Sequence, residues 1–198
     1  KTWTSFLCDK IPHNPGSRGF MARAKVSSTG VELFFPEDEL IVSKTYNRGI
    51  ITYANKLFVD IAGYTLPEVV GKPHNLVRSP QMPRCVFKLL WDRIASGKEI
   101  FAYVVNLAKN GDHYWVLAHV TPSFDENGSS IGDHSNRRVP RRDAVTVMQS
   151  FYRDLLATES KIESSKESLA NSEAMLADFL REKNTDYDRF IHSLTEGR

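Results

Sequence analysis

Cysteine, charge imbalance and long apolar runs are all scarce in this chain. Its 198 residues hold two cysteines, Cys8 and Cys85, without Cys-x-x-Cys spacing or neighbouring metal ligands, a pattern that fits a reducing compartment. Twenty-six basic residues against 24 acidic ones leave a formal charge of +2, too even for a nucleic-acid or membrane-surface footprint. No apolar run approaches the roughly 20 residues that span a bilayer. The opening Lys1-Thr2-Trp3 lacks the apolar stretch of a signal peptide. These absences predict a cytoplasmic protein with no membrane insertion and no nucleic-acid partner. A P-loop, zinc spacing, a nucleophile elbow and paired catalytic carboxylates are missing as well, which points to a sensor or adaptor rather than an enzyme.

What is present is a core-forming composition, 41% hydrophobic, enough for one domain with extensions. The clearest local signal is Asn110-Gly111 between two β-type runs, because both residues tolerate the positive φ that a two-residue hairpin turn demands. Pairing Lys109 with Asp112 sets Asn106 opposite Trp115, Val104 opposite Leu117, Ala102 opposite His119 and Ile100 opposite Thr121, all on one face. The other face then carries Phe101, Tyr103, Val105 and Leu107 with Tyr114, Val116, Ala118 and Val120. Both faces call for cover, so the hairpin either lies between two layers or lends one face to a partner chain.

Residues 1–39 read as an N-terminal extension or cap. Met21 is a possible natural start after an upstream or cloning segment, and Val31 to Phe35 is a candidate flap over the hairpin's outer face. Within 40–142, a hairpin around Asn47-Arg48-Gly49 precedes a short helix capped by Asn55 and stopped by Gly63, a one-turn helix ending at Gly71, and a longer helix from Pro83 to Ala95 with Val86, Leu89, Leu90 and Ile94 as its inward stripe. The central hairpin and a last strand near Ile131 to Val139 follow. Five strands with the helices inserted together after the second describe an α+β domain, an antiparallel sheet covered on one face by helices. From 143 to 198 Met148, Leu155, Ile162, Leu169 and Leu176 repeat every seven residues, while Thr158, Ser165 and Ser172 spoil the seam. That pattern predicts a marginal C-terminal helix or helical pair, ordered by a second copy or another protein, or else frayed.

Of the six histidines, His119 alone falls on the Asn106 and Trp115 face, as a satisfied core histidine or as a ligand. His74 reads as a helix-start hydrogen-bonding group. Arg137 and Arg138, with Arg141 and Arg142, read as a solvated strand end in preference to an anion site.

Several segments then fall into a recognisable pattern: Ile50 to Phe58, Ala62 to Leu66, Gly71 to Arg78 with Pro80 and Met82-Pro83, Phe87 with Trp91, and Lys109 to Val116. Through them residues 40–142 resemble a PAS domain, and within that superfamily the FAD-binding PAS of bacterial aerotaxis receptors and related redox and oxygen regulators. The resemblance implies a PAS fold and a pocket between the long helix and the inner sheet face. Position by position it implies that Asn55, Arg78, Phe87, Trp91 and Asn106 line or support a flavin site, to which the hairpin register adds Trp115 and His119. Ser79, Gln81 and Ile100 stand where the aerotaxis receptors have histidine, aspartate and tryptophan. FAD is the expected cofactor, and haem is the alternative, with His119 as its ligand. The implied function is a sensor of redox or oxygen state that signals through protein contacts, as a homodimer and with a chemoreceptor or histidine-kinase partner. The competing reading is a cofactor-free dimerisation or docking module working through Phe101, Tyr103, Val105, Val116 and Val120.

Overall fold

The computed structural model describes residues 26–161 and 164–196. The expectations for Met21 and Ile162 lie outside these residues. Five strands, β1 (Ile41–Tyr46), β2 (Ile50–Ala54), β3 (Ile100–Leu107), β4 (His113–Phe124) and β5 (Ser130–Arg138), form one antiparallel sheet in the order β2-β1-β5-β4-β3. Between β2 and β3 come α1 (Lys56–Ala62), α2 (Leu66–Val69), a 3-10 turn at His74–Val77 and α3 (Arg84–Ala95). The Asn55 carboxamide accepts from Phe58 N to start α1, and Gly63, at φ 70°, ends it. Val86, Leu90 and Ile94 of α3 are buried against the inner face as their spacing predicts.

The central hairpin departs from the expected register by one residue. Asn106 lies opposite Tyr114, Val104 opposite Val116, Ala102 opposite Ala118 and Ile100 opposite Val120. The cause is the turn: Ala108 N bonds Asp112 O, so the loop holds Lys109, Asn110 and Gly111, three residues rather than two. Only Gly111 takes a positive φ, 97°, whereas a two-residue turn of the expected type needs it at Asn110 too. The Asn110 carboxamide accepts from Asp112 N, and Thr29 N donates to Gly111 O, fixing the wider loop from both sides. In a period-two element a shift of one exchanges the two faces. Ile100, Ala102, Val104, Asn106, Tyr114, Val116, Ala118 and Val120 therefore face inward, while Phe101, Tyr103, Val105, Trp115, Leu117 and His119 face outward.

The outer face is partly covered by the chain's own C-terminal segment, in which α4 (Arg142–Ser160) lies on Trp115 and Tyr103, α6 (Tyr187–Thr195) packs on β3 and α5 (Ser165–Glu182) packs on α3 and α4, while Phe101 stays exposed. Tyr152 of α4 stacks on Trp115, and its hydroxyl donates to Tyr103 O on the edge strand at 2.7 Å. Edge strands left bare pair with other chains, and here the edge carbonyl is occupied. The α4–α5 hairpin folds back onto α3, joined by stacking of Phe151 on Phe179, and Asp188 of α6 pairs with Arg93 of α3 at 2.9 Å. The serines that spoil the heptad have a partner: Glu159 accepts from Ser172 Oγ and takes both the Arg84 and Cys85 backbone N–H groups at 3.1 Å. Glu159 thus caps α3 across the α4–α5 turn. Val31 to Leu33 is no flap; it runs in the plane of the sheet, bonded to His113, with Glu32 bound to Arg142 through both carboxylate oxygens.

Candidate functional site

The inner sheet face is apolar at the β3–β4 end and polar toward β1 and β5. Period-two alternation on β5 turns Asp133, Ser135 and Arg137 inward, opposite Thr45, Ser43 and Ile41 of β1. Arg137 is 5% exposed, and among the described residues no carboxylate pairs with it. Its two terminal nitrogens donate to Ser43 Oγ at 3.1 Å, and one of them donates to His74 Nε2 at 2.7 Å. The guanidinium lies 5.7 Å from the Phe58 ring centroid, a partial substitute for lost hydration. Burial pulls its pKa down to about 10, so it stays charged near neutrality. His74 is pushed down to about 3, first by burial and then by the Arg137 charge, and it accepts as a neutral ring. Nearby on the same face, the Tyr114 hydroxyl and Ser135 Oγ are buried with no hydrogen-bond partner, and burial holds the Tyr114 phenol well above its ordinary range.

The candidates named from sequence divide into three sets. Arg78, Phe87 and Asn106 come together: Arg78 and Asn106 form a backbone bridge, and the Arg78 guanidinium sits 4.6 Å over the Phe87 ring. Asn106 is buried, while Arg78 is exposed at the rim. Trp91, one turn beyond Phe87 on α3, packs toward Gly49 in the β1–β2 turn. Asn55 is a framework residue. Besides capping α1, it accepts from Val42 N and donates to Leu40 O.

Trp115 and His119 leave the inner site altogether, a direct result of the one-residue register shift. Trp115 belongs to the contact with α4; His119 stacks on Phe101 at 4.1 Å and meets Glu99 at 2.7 Å on the outer surface. His119, the haem ligand expected from the sequence, therefore points away from the inner face. Ser79 accepts from Gln81 N and holds a turn, and Ile100 is buried as an aliphatic part of the inner wall. Sequence reasoning missed Arg137, Ser43, Ser135, Tyr114 and the ligand-facing role of His74. The available signal was the alternation of Ser135 and Arg137 on a strand paired with Ser43.

Among the described residues no group of three or more His, Cys, Asp or Glu is placed to hold a metal ion, and no helix is long and apolar enough to cross a membrane. The strand order, the helices inserted after the second strand and the polar patch on the inner face define an α+β domain with buried polar groups between helices and sheet. Residues 51–135 match the family described as PAS fold, and the five-stranded antiparallel sheet with its inserted helices has that fold. Over 121 residues, 61% of this chain, it is 38% identical to the aerotaxis receptor of Escherichia coli (strain K12), covering 24% of that receptor. Over 99 residues, 48% of this chain, it is 30% identical to the nitrogen fixation regulatory protein of Klebsiella pneumoniae, covering 20% of it. Among solved structures, the dark form of the blue-light photoreceptor Aureochrome1 LOV superposes with a TM-score of 0.50 at 20% identity, covering 58% of this chain and 85% of that one. The chain spans a quarter or less of the two sequence relatives.

Proposed function

We propose that residues 40–142 are a sensory PAS module that holds a flavin between α3 and the inner sheet face, and that residues 143–198 carry its state to a partner. The observation that carries this reading is the buried polar set on the inner sheet face: a guanidinium without a carboxylate, and two hydroxyls without partners among the described residues. These residues fit a flavin, whose flat ring offers carbonyl and N–H edges to donors and acceptors and its faces to apolar walls. Arg137, Tyr114, Ser135 and Asn106 would hold the ring edges, with Phe87 alongside. Arg78, exposed at the rim, suits the phosphate end of FAD as a fixed guanidinium. The aerotaxis receptor's similarity supports FAD within the flavin class.

A bound flavin supplies reversible redox chemistry in which charge on the ring changes. The residues of this chain would convert that change into geometry. Arg137 and Ser135 lie on β5, and α4 begins at Arg142, four residues beyond the strand's end at Arg138. A shift of the Arg137 network is therefore a shift at the root of the helix that covers Trp115 and Tyr103. Signalling through protein contacts, as a dimer and toward a chemoreceptor or histidine-kinase partner in the cytoplasm, goes with this arrangement. No part of it calls for enzymatic turnover. The cofactor-free docking reading keeps Phe101 as an exposed side chain but loses the other four, because Tyr103 and Val105 are fully buried and Val116 and Val120 lie on the inner face.

Freshly purified protein is expected to absorb near about 450 nm, the flavin's own band, and to lose that band on anaerobic reduction; colourless protein that takes up no added FAD refutes the proposal. Asn106→Ala is expected to lower flavin occupancy severalfold while leaving the circular dichroism spectrum unchanged. Unaltered occupancy removes Asn106 from the site.

A further inference from the structure

We propose that Arg137, supported by Ser43, Ser135 and Tyr114, is the group that reads charge on the bound ring: it favours the ring's anionic form, so the pocket holds reduced flavin more tightly than oxidised flavin. The inference rests on the flavin reading above and assigns the discrimination to one residue within it.

The geometry argues for Arg137 rather than Arg78. Arg78 is exposed and its charge is screened by water, whereas Arg137 is buried, and an interaction with a buried charge is screened far less. A guanidinium has five N–H donors, and Arg137 uses three of them, two on Ser43 and one on His74, which leaves two without a partner among the described residues. None of its present partners is negative: Ser43 is a hydroxyl, and His74 is a neutral ring held in that state first by burial and then by the Arg137 charge. Asp133, the other charged group on the inner face of β5, is bound to Thr45 and makes no bond to Arg137. Ser135 Oγ and the Tyr114 hydroxyl, both free of partners, lie on the same face to share the ligand edge. A buried cation with spare donors, neutral neighbours and no counter-ion among the described residues is a site completed by an anionic ligand atom.

Reduction of the ring by a two-electron donor adds two electrons and one proton and leaves one net negative charge, which is the species Arg137 is placed to neutralise. Burial pulls the arginine's pKa down only to about 10, so near neutrality it stays protonated through this change, acts as a fixed charge and does not exchange a proton with the ring.

The test compares the full-length protein with Arg137→Met and Arg137→Lys. FAD affinity is measured by fluorescence or calorimetry for the oxidised cofactor and, anaerobically, for the dithionite-reduced cofactor. The wild type is expected to bind reduced FAD at least about tenfold tighter than oxidised, which corresponds to a potential about 30 mV above that of free flavin for a two-electron couple. Arg137→Met is expected to abolish most of that ratio and Arg137→Lys to retain it. Ligand-free Arg137→Met is further expected to melt no lower than the wild type, because it removes an unneutralised buried charge; a large drop in melting temperature makes Arg137 structural and overturns the inference. An unchanged ratio in Arg137→Met, with FAD still bound, overturns it too. Failure of the wild type to bind FAD in either state refutes the flavin reading itself, a separate and recognisable outcome.

Discussion

Removing an ion from water costs several kcal/mol even after the surroundings relax, and Arg137 meets that cost with two neutral acceptors and an aromatic face. Its neighbour His74 registers the same environment as a pH effect. The ring's folded pKa, about 3, lies below its ordinary 6.5, so between those values the unfolded chain binds a proton that the folded chain refuses. The stability His74 contributes is complete above pH 6.5 and declines as the pH falls toward 3, at up to about 1.4 kcal/mol per pH unit. His74→Gln, which cannot take up that proton, is expected to show a shallower loss of stability over this interval in denaturant titrations at stepped pH. Identical slopes for the two proteins contradict the assignment. Residues of this kind were only partly legible in the sequence. Asn55 announced itself as a cap, because an Asn before a short apolar run has one common use. Arg137 did not, since a strand reading Ser-Ile-Gly-Asp-His-Ser-Asn-Arg-Arg has polar residues on both faces and hides which one is buried.

At the level of elements, strand and helix identities followed from period and punctuation, while the register of the central hairpin did not. Asn110-Gly111 belongs equally to a two-residue and a three-residue loop, and the choice is made by contacts far away in sequence. Lys109 N donates to Ala62 O, and Thr29 closes on Gly111. That ambiguity sent Trp115 and His119 to the wrong side and with them the haem alternative. Gly111 is the residue the loop cannot replace. It sits at φ 97°, and a Cβ there would lie 2.2 Å from Ser27 O, a backbone atom with little room to yield. Gly111→Ala is expected to destabilise the protein by about 1–3 kcal/mol, as positive-φ strain and the clash combine. Urea unfolding measures this, and a loss under about 0.5 kcal/mol, the ordinary scatter of surface substitutions, would mean the N-terminal segment does not hold the turn.

For the molecule as a whole, the C-terminal heptad suggested a partner, and the partner is the chain itself. The pattern of Met148 and Leu155 was legible as an apolar stripe, but a stripe does not say what it packs against. The polar residues at Ser168 and Ser172 are explained by Glu159 and by Arg84, whose guanidinium donates to Ser168 Oγ, and no periodicity reveals either. Ending the chain after Pro140 would uncover Tyr103, Val105 and Trp115 and free the β3 edge. Each such side chain is worth about 1.5–3 kcal/mol of burial, so the shortened protein is expected to lose several kcal/mol and to self-associate. Sedimentation velocity at two concentrations checks this. A shortened form that stays monomeric with the melting temperature of the full chain would make α4–α6 an accessory to the domain.

The cap that Glu159 places on α3 also sets a schedule for biosynthesis. Pro83 offers α3 no side-chain cap of its own, and the carboxylate that takes the Arg84 and Cys85 N–H groups is encoded about 75 positions later. During translation the sheet's strands can all have left the ribosome while the helix roofing the chamber still ends in open amides. In a nascent chain the Arg84 and Cys85 amides gain their cap only after the α4–α5 turn has emerged from the exit tunnel.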